Sequence, residues 1–543
     1  MSEVPARSRA VSLGAAALML LALAGCVGIP SSGNVTVGEA IEERDAGVEF
    51  FPLGPDPGAT QDEVLRGFVA AASSSADDYG VARQFLARGF AGKWNPRAGV
   101  SVRTSTERVA LLDALTMEYS IQVAADINAA GSFQQNDMPA PLTLAFGFVK
   151  EKGEWRIETA ADGIVLSDVV FQSTFDPHAV YFLDPTGSSD RDAHLQGAVR
   201  SAFPDGTRLE ASTVEVQDGI ADVDLTTEAL TAGADERRLM QVQLAASFAR
   251  VANVREVSIS VGGTPLPIGG LTASDPVPNP RVDSRAIVRI GDRFGYLSDS
   301  SVTTIPGLAP GVLATSPTAV TVAVDLGSAV SLGSGSVWLV PESGAEPRLI
   351  DARPGLIPPS LDNYQWVWSA SSLVPGFVRI TDFEGVGYDL PTGFAADSQI
   401  VSLDVARDGA RVAIHLQTPA GPRLVVRAIS RDATANQRPR VLSEAVLDTT
   451  IATMSAGTAL DSTWVDDLSV ATLVREGDDS SVTVHQIGGR RAALGSATGA
   501  TSLVGGNGER GLRALGPDGV IIERGVSGWS NTGIAVAFIA TQR

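Results

Sequence analysis

Residues 280–543 limit the fold most strongly, because helical periodicity is absent there and short β-branched runs alternate with Gly, Asp, Ser and Pro turns. In the clearest case, strand-like residues 401–405 precede an Asp408-Gly409 hairpin turn and a second alternating run over 411–415. A propeller blade takes roughly 40–45 residues, so the stretch has room for about six blades. We predict an all-β, propeller-like domain over 280–543, with a pair of β-sandwiches as the alternative.

Five tryptophans recur near the ends of the predicted strands in this region. A tryptophan at such a position either packs between neighbouring sheets or offers a stacking surface to a ligand. We expect these side chains to pack between blades. They are Trp338, Trp366, Trp368, Trp464 and Trp529.

The chain has a single cysteine, Cys26, which excludes an intramolecular disulfide and a cysteine-based metal cluster. A short positive region and an apolar stretch over 11–23 precede it, and this stretch is too short to span a bilayer. Leu-Ala-Gly-Cys at 23–26 has the form of a lipobox. Residues 1–25 are therefore predicted to be a lipoprotein signal peptide that is cleaved before Cys26.

Cys26 is then predicted to become an N-palmitoyl, S-diacylglycerol cysteine, although the sequence leaves open whether its amine is acylated. One acyl chain holds a protein only marginally, whereas a second chain anchors it stably. The mature chain is thus expected at the cell membrane, lipid-anchored on the extracytoplasmic face. An ordinary secretory signal with a chance cysteine is the alternative.

Residues 26–58 lack sustained periodicity and are predicted to be a lipid-anchored tether. Helix signals follow at once. Thr60 and Glu63 have the spacing of a capping box, and the i,i+4 pair Val64 and Phe68 continues an apolar face. A second helix is predicted to include Phe85 and Leu86 and to end near Gly89, before alternating runs at 119–124, 142–149 and 155–158, the last two joined by a Lys152-Gly153 turn.

Helices followed by a curved sheet predict an α+β, cone-like domain over 59–175. Asp77, Asp78 and Tyr79 could line its cavity, but a solvated loop is the favoured interpretation. Such a fold can carry an active site or serve as a scaffold alone.

Residues 178–268 predict the order β-α-β-β-α-β. A strand at 179–183 precedes a helical face formed by Leu195, Ala198, Val199 and Ala202. Two alternating runs then flank an Asp218-Gly219 turn, and a helix is predicted over 235–251, with Leu239, Val242, Ala246 and Ala249 on its apolar face. Asp222 and Asp224 alternate along one strand and so share a face. A metal pair would need further ligands, and a solvated sheet face is the favoured interpretation.

The residues that could carry chemistry show no catalytic or metal-binding pattern. No histidine pair has metal-ligand spacing, and no nucleophile elbow, P-loop or dinucleotide fingerprint is present. The Gly-rich segment 505–508 is interpreted as a surface turn. Asp466-Asp467 and Asp478-Asp479 are adjacent in sequence, so they are expected to point apart on a strand. The four histidines are His178, His194, His415 and His485.

We therefore predict no catalytic, cofactor-binding or metal-binding residue, and a chain that is not an enzyme. A formal net charge of −21 also argues against nucleic-acid binding, which requires a basic surface. A hydrolase whose carboxylates assemble in space is left as a minor alternative.

The middle of the chain resembles the GerMN module of spore-germination and envelope lipoproteins, at 179–183, 203–207, 223–226 and 254–263. The whole arrangement resembles the actinobacterial LpqB lipoprotein family. That resemblance rests on Cys-Val-Gly-Ile-Pro-Ser-Ser-Gly at 26–33, on the GerMN-like middle, and on segments 361–368 and 401–415. The lipobox motif is specific by its position, whereas the later motifs are specific mainly through their order along the chain.

The resemblance implies an accessory or regulator of a two-component sensor histidine kinase of the MtrAB type. The partner would be the extracytoplasmic domain of an MtrB-like kinase, and the role would concern cell division and envelope homeostasis. A module that binds cell-wall glycan or peptide is the alternative, and an exposed aromatic patch would support it. The family supplies no partner-contacting residue that can be transferred to this chain.

Overall fold

The computed structural model describes residues 52–129, 131–175, 178–183, 189–190, 201–211, 213–272, 275–276, 280–325, 327–342, 344–432, 435–450 and 457–543. The predicted signal peptide, Cys26 and most of the predicted tether lie outside these ranges. No helix within them has the length and apolar character that a membrane crossing requires.

The N-terminal module is an α+β unit, in which short helices cover one face of a five-stranded sheet. The sheet has the strand order β4-β3-β2-β1-β5, and β5 runs parallel to β1 while the other pairs are antiparallel. The elements are α1 (Gln61–Ala71), α2 (Ala76–Arg83), α3 (Arg88–Ala91), β1 (Gly99–Leu111), β2 (Thr116–Asn128), β3 (Phe133–Glu151), β4 (Glu154–Thr159), β5 (Ile164–Ser167) and α4 (Asp168–Thr174).

Local signals account for the start of this module. The capping box predicted at α1 is formed, since the Thr60 side chain accepts from the Glu63 backbone and the Glu63 carboxylate accepts from the Thr60 backbone. Phe68 is buried and packs edge-on against Trp94, with ring centroids 5.0 Å apart. The turn Lys152-Gly153 has positive φ at both residues, as a two-residue hairpin requires.

The predicted second helix was too long. Helix α2 ends at Arg83, and Asp77, Asp78 and Tyr79 within it have positive φ. Phe85 does not continue the helix, because its carbonyl accepts the backbone N–H of Ile157 on β4 at 2.9 Å. Pairing with a distant strand has replaced the helical hydrogen bond that periodicity alone suggested.

The GerMN-like module has a four-stranded sheet of order β11-β10-β9-β8, with β9 and β10 parallel, and one long helix. The predicted Asp218-Gly219 hairpin turn is present, with positive φ at both residues. The elements are β6 (Phe182–Leu183), β7 (Ser189–Asp190), β8 (Glu215–Gln217), β9 (Ile220–Leu225), α5 (Ala234–Phe248), β10 (Glu256–Val261) and β11 (Thr264–Pro265).

Three predictions about this module change. The first strand is confined to β6 and pairs with β7 instead of joining the main sheet, and most of the predicted first helix lies outside the described residues. Helix α5 ends at Phe248 rather than Val251. Its buried face includes Met240 and Gln243 in place of Leu239 and Ala249, because the Gln243 Oε1 accepts the backbone N–H of Ala202 at 2.8 Å.

The C-terminal region consists of four four-stranded antiparallel sheets and one eight-stranded sheet, in which the last strand of the chain joins two further four-stranded blades, so that there are six blades in all. Blades 1 to 3 contain β12 (Ile287–Ile290), β13 (Arg293–Ser298), β14 (Ser301–Thr304), α6 (Ala309–Ala314), β15 (Pro317–Val322), β16 (Ser328–Gly333), β17 (Ser336–Pro341), β18 (Arg348–Asp351), β19 (Ser360–Leu361), β20 (Val367–Ser371), β21 (Val374–Thr381) and β22 (Gly387–Pro391). Blades 4 to 6 contain β23 (Gln399–Val405), β24 (Arg411–Thr418), β25 (Gly421–Asp432), β26 (Arg438–Thr450), β27 (Thr458–Trp464), β28 (Ser469–Glu476), β29 (Asp479–Gln486), β30 (Arg491–Ser496), β31 (Ser502–Val504), β32 (Arg513–Leu515), β33 (Val520–Gly525) and β34 (Gly528–Ala535).

The last strand closes the ring. Strand β35 (Phe538–Gln542) pairs antiparallel with β12 and so becomes the inner strand of blade 1. It also pairs parallel with β15, the inner strand of blade 2. The inner strands β15, β19, β23, β27, β31 and β35 each contact the next one around the ring. The prediction of a propeller is confirmed, the ring has six blades, and the sandwich alternative is wrong.

The tryptophans of the propeller serve packing, as predicted. Trp366, Trp368 and Trp464 are buried. Trp368 donates its indole N–H to the Asp362 carboxylate at 2.9 Å, and Trp464 donates to the backbone carbonyl of Asp404 at 2.9 Å. Trp338, Trp366 and Trp529 also donate to backbone carbonyls. Each indole therefore fixes a position between strands or blades.

Candidate functional site

Asp77, Asp78 and Tyr79, for which a solvated loop was favoured over a place at the cavity, do not line the cavity of the N-terminal module. Asp78 forms ion pairs with Arg83 and Arg97, each at 3.0 Å, and Tyr79 packs edge-on against Trp94. The cavity itself, of about 190 Å³, lies between α1 and the sheet and has mainly apolar walls. The carboxylates at its edge are occupied, since Asp126 accepts the Ser101 hydroxyl and Asp162 accepts a backbone N–H, both at 2.9 Å.

Asp222 and Asp224 share a face of β9, as predicted, but they are held by protein groups. Asp222 accepts the hydroxyl of Ser258 at 2.9 Å. Asp224 accepts the hydroxyl of Ser260 at 3.1 Å and the backbone N–H of Gly263 at 3.0 Å. The described residues contain no cluster of three or more possible metal ligands.

Two histidines that are far apart in sequence form part of one buried polar cluster between blades 4 and 5. His415 on β24 contacts the Asp461 carbonyl through Nδ1 at 2.9 Å, and His485 on β29 contacts the Thr472 hydroxyl through Nε2 at 3.0 Å. Ser402 and Ser462 share a hydroxyl hydrogen bond beside them. Burial lowers the pKa of His415 to about 4 and the pKa of His485 to about 3, so both are neutral near pH 7.

The opposite shift affects two nearby carboxyls. Burial, together with the charge of Asp404, raises the pKa of Asp461 to about 7, although backbone N–H groups of Ser462 and Leu503 donate to it at 2.8 Å. Burial also raises the pKa of Asp467 to about 7. Such perturbed groups can mark a catalytic site, but His415 is fully buried and the Asp461 carboxylate is held by backbone N–H groups.

The two kinds of shift predict opposing effects of pH on stability. Between about pH 6.5 and 4 the unfolded state binds protons on its histidines while the folded state does not, so stability falls as pH falls. Over the same window the folded state binds protons on Asp461 and Asp467, so these groups raise stability as pH falls. His415→Gln removes one histidine contribution. As pH falls from about 6 to 4.5, the free energy of unfolding of the variant is therefore expected to rise relative to the wild type by about 1.4 kcal/mol per pH unit.

Urea unfolding at several pH values measures this difference. His178→Gln is the matched control, because His178 is exposed. The same dependence in both variants would show that the burial of His415 is not the cause.

The propeller axis carries a buried ion pair. The Arg543 guanidinium donates to both carboxylate oxygens of Asp404 on β23, and to the Thr463 hydroxyl on β27 at 2.9 Å. Ser360, on β19, donates to the same carboxylate at 3.4 Å. One arginine therefore joins the inner strands of neighbouring blades, which is a structural use of these charges.

The remaining sequence candidates are also structural. The turn at 505–508 is partly buried rather than on the surface, and a Cβ on Gly505 would lie 1.9 Å from the Trp464 carbonyl oxygen. Asp466 and Asp467 do not point apart, because they lie in the turn between β27 and β28 and both approach Arg250, at 3.6 and 3.7 Å. Asp479 accepts the Ser496 hydroxyl.

Polar contacts join the modules beside blade 5. Arg490 approaches the Asp168 carboxylate on α4 at 3.4 Å and lies over the Phe171 ring. The Arg491 backbone donates to the Gln135 side chain of the N-terminal module at 2.9 Å. The GerMN-like module contacts the same part of the propeller through Arg250 and through the Tyr181 hydroxyl, which is 3.5 Å from Asp467.

One exposed apolar feature was missed by the sequence analysis. Leu111, Leu112 and Leu115 lie at the tip of the β1–β2 hairpin and are 62%, 61% and 53% exposed. We call residues 111–115 the leucine tip. The available signal was a pair of adjacent leucines with a third leucine within five residues, beside an Asp in a tight turn. A run of this kind also occurs in buried strands.

Comparison with protein-family models gives matches to all three modules. A model described as "Lipoprotein LpqB, N-terminal domain" matches residues 54–172, and one described as "Lipoprotein LpqB beta-propeller domain" matches residues 292–536. Between them, the Germane model, described as "Sporulation and spore germination", matches residues 179–267.

Curated relatives bear the name Lipoprotein LpqB. The protein of Cutibacterium acnes is 29% identical over 286 residues, which are 48% of this chain and 47% of that protein. The protein of Bifidobacterium longum is 24% identical and is matched over 43% of its length. The chain thus spans about half the length of these two relatives. The Mycolicibacterium smegmatis protein is 24% identical over 73% of this chain and 76% of its own length.

Solved structures give weaker matches. A chain of the nidogen/laminin complex is 10% identical, with a TM-score of 0.31, over 45% of this chain and 89% of its own. YCF48 from Cyanidioschyzon merolae is 14% identical, with a TM-score of 0.26, over 36% of this chain and 65% of its own. The closed ring of sheets itself defines the propeller.

Two of the matching models are specific to one family, and the third lies between them in the order that this family predicts. The family is named for a lipoprotein with a propeller domain, and it is not an enzyme family. The name implies a membrane-anchored protein of the cell envelope. The chain belongs to the LpqB family of actinobacterial lipoproteins.

Proposed function

We propose that this lipoprotein is anchored through Cys26 on the extracytoplasmic face of the cell membrane and acts as an accessory protein of a two-component sensor histidine kinase. Its partner is the extracytoplasmic domain of an MtrB-like kinase, and through it the protein affects cell division and envelope homeostasis. The family resemblance supports the choice of partner.

The contacts of the histidines and carboxylates support a binding function rather than a catalytic one. His415 and His485 of the propeller are buried and contact protein groups, and Asp222 and Asp224 accept hydrogen bonds from serines and backbone. Each module also leaves several large apolar side chains exposed among the described residues. Where such side chains adjoin one another, the resulting apolar patch is typical of a protein or membrane contact.

The cell-wall alternative receives no comparable support. Recognition of glycan usually requires an exposed aromatic platform, yet none of the seven tryptophans is exposed. The exposed aromatic side chains among the described residues are Phe175 and Tyr388, which lie in different modules. The Tyr388 ring moreover packs against Trp366 and lies under the Arg438 guanidinium.

The proposal is tested by titrating the unlipidated mature chain, residues 27–543, with the purified extracytoplasmic domain of the cognate kinase. We expect saturable binding with a Kd of about 1 µM or lower, equivalent to about −8 kcal/mol. Isothermal titration calorimetry gives both the affinity and the stoichiometry. A complete absence of binding at high concentration would contradict the accessory role.

Exposed apolar residues allow the contact surface to be mapped without deleting a module. Val216→Asp and Ile220→Asp change the hairpin of β8 and β9. Leu349→Asp changes the outer strand of blade 2, and Val386→Asp changes the turn before the outer strand of blade 3. We expect at least one pair to weaken binding by about tenfold or more, because a charge within an apolar contact must be desolvated. Leu112→Ser, in the leucine tip, is expected to leave kinase binding in solution unchanged.

A further inference from the structure

We infer that the leucine tip is a membrane-contacting surface, which lies in the interfacial region of the bilayer that holds the lipid anchor. This inference rests on the anchoring through Cys26 proposed above, and it adds a second, protein-borne contact with the same lipid surface. The occupant is a lipid bilayer rather than a protein, for reasons of position, rigidity and charge.

The tip lies where the chain enters the N-terminal module. The side chain of Gln61, the first residue of α1, donates to the Ala114 carbonyl at 3.1 Å. About 25 residues separate Cys26 from the first described residue, so the module is at most about 90 Å from its anchor even with this segment fully extended. The most exposed leucines of the N-terminal module therefore lie beside the start of α1, where the predicted tether joins the module.

The tip is a rigid presentation of apolar surface. The Leu112 backbone donates to the Thr116 carbonyl at 2.9 Å, and the Leu115 backbone donates to the Asp113 carboxylate at 2.8 Å. The Leu115 carbonyl in turn accepts the Phe148 N–H at 2.7 Å. Because the backbone is already ordered, contact with a bilayer costs little conformational entropy.

The charge of the tip excludes attraction to anionic headgroups as the basis of its membrane contact. The sequence Leu-Leu-Asp-Ala-Leu at 111–115 contains no Lys or Arg that could bind an anionic headgroup. Its one charge, Asp113, is turned toward its own turn, and the backbone N–H of Leu115 holds the pKa of that carboxyl below its ordinary value. Membrane contact through this tip is therefore driven by burial of leucine side chains, and added salt should not release it.

A site-specific fluorophore on the lipid-bearing full chain tests the inference. Because the thiol of Cys26 is taken by lipid, Leu112→Cys supplies a single reactive thiol for a nitrobenzoxadiazole label. The protein is reconstituted in phosphatidylcholine vesicles, with or without doxyl-labelled lipid. Leu373→Cys is the matched control, since Leu373 is similarly exposed, at 64%, but lies in the propeller.

We expect doxyl lipid to quench the label at position 112 by about twofold or more, at low and high salt alike, and to leave the label at 373 unchanged. Leu111→Ser with Leu115→Ser in the labelled chain is expected to abolish the quenching. Equal quenching at both positions, or none at position 112, overturns the inference. A response at 112 only when the kinase domain is added overturns it in favour of a protein contact.

Flotation of the same vesicles separates this inference from the proposed function. A chain that floats with the vesicles without quenching retains its anchor and refutes only the membrane role of the tip. A chain that does not float refutes the anchoring and the tip contact together. Kinase binding in solution is measured independently of both.

Discussion

Asp362→Asn is expected to lower the free energy of unfolding of the propeller by about 3–5 kcal/mol, because it leaves the Arg431 guanidinium charged and buried without its partner. Both side chains of this pair are inaccessible to solvent, and they meet at 2.8 Å. The carboxylate also accepts the Trp368 indole N–H and the Trp366 backbone N–H. Asparagine has the same shape, but its amide NH₂ would face the N–H donors of Arg431, Trp366 or Trp368.

Arg431 belongs to blade 4 and Asp362 to blade 3, so the pair couples two blades. Arg431 also donates to the Gly409 carbonyl and lies over the Tyr364 ring. Loss of the charge on Asp362 therefore disturbs a contact between blades as well as a local turn. The midpoint of urea unfolding, followed by tryptophan fluorescence, measures the effect, since five of the seven tryptophans lie in the propeller.

Asp389→Asn is the matched control in the same blade. Asp389 pairs with Arg379 at 2.8 Å in equally good geometry, but the two side chains are 44% and 34% exposed. Solvent screening makes such a surface pair worth about 1 kcal/mol or less. Equal losses in the two variants would mean that burial does not determine the contribution of these ion pairs.

The parts of the fold that sequence predicted are those encoded by neighbouring residues. The capping box at Thr60 and Glu63 and the hairpin turns at Asp218-Gly219 and Asp408-Gly409 depend on a few adjacent positions, and all are present. Strand alternation likewise marked the propeller. A helix through Phe85 was predicted wrongly, because its backbone pairs with Ile157 and no local pattern reports a partner 72 residues away.

The functional surfaces were less accessible to sequence reasoning, for the same reason. Arg543 and Asp404 are 139 residues apart, and His415 contacts a carbonyl 46 residues away, so neither cluster has a local signature. A leucine in a turn can be buried or exposed depending on what packs above it. The exposure of the leucine tip could therefore be recognised only from the structure of the β1–β2 hairpin.

The second large effect concerns ring closure. A chain that ends at Val536 lacks β35, so blade 1 loses its inner strand and blade 2 loses the parallel pairing of Thr321 and Val322. It also lacks Arg543, which leaves Asp404 as a buried carboxylate without its cation. We expect this chain to lose the cooperative unfolding transition of the propeller, because an open ring exposes the inner edges of blades 1 and 2.

A graded variant keeps this prediction testable if the truncated chain does not fold at all. Phe538→Ala removes a buried ring that packs against Phe294 at 6.2 Å, and it is expected to cost about 3–5 kcal/mol. Val526→Ala, in the turn between β33 and β34, is the control, since Val526 is 96% exposed. If the truncated chain kept the wild-type unfolding midpoint, closure by β35 would not be what holds the six blades together. A loss in Phe538→Ala with none in Val526→Ala assigns the stability of the ring to the strand that completes it.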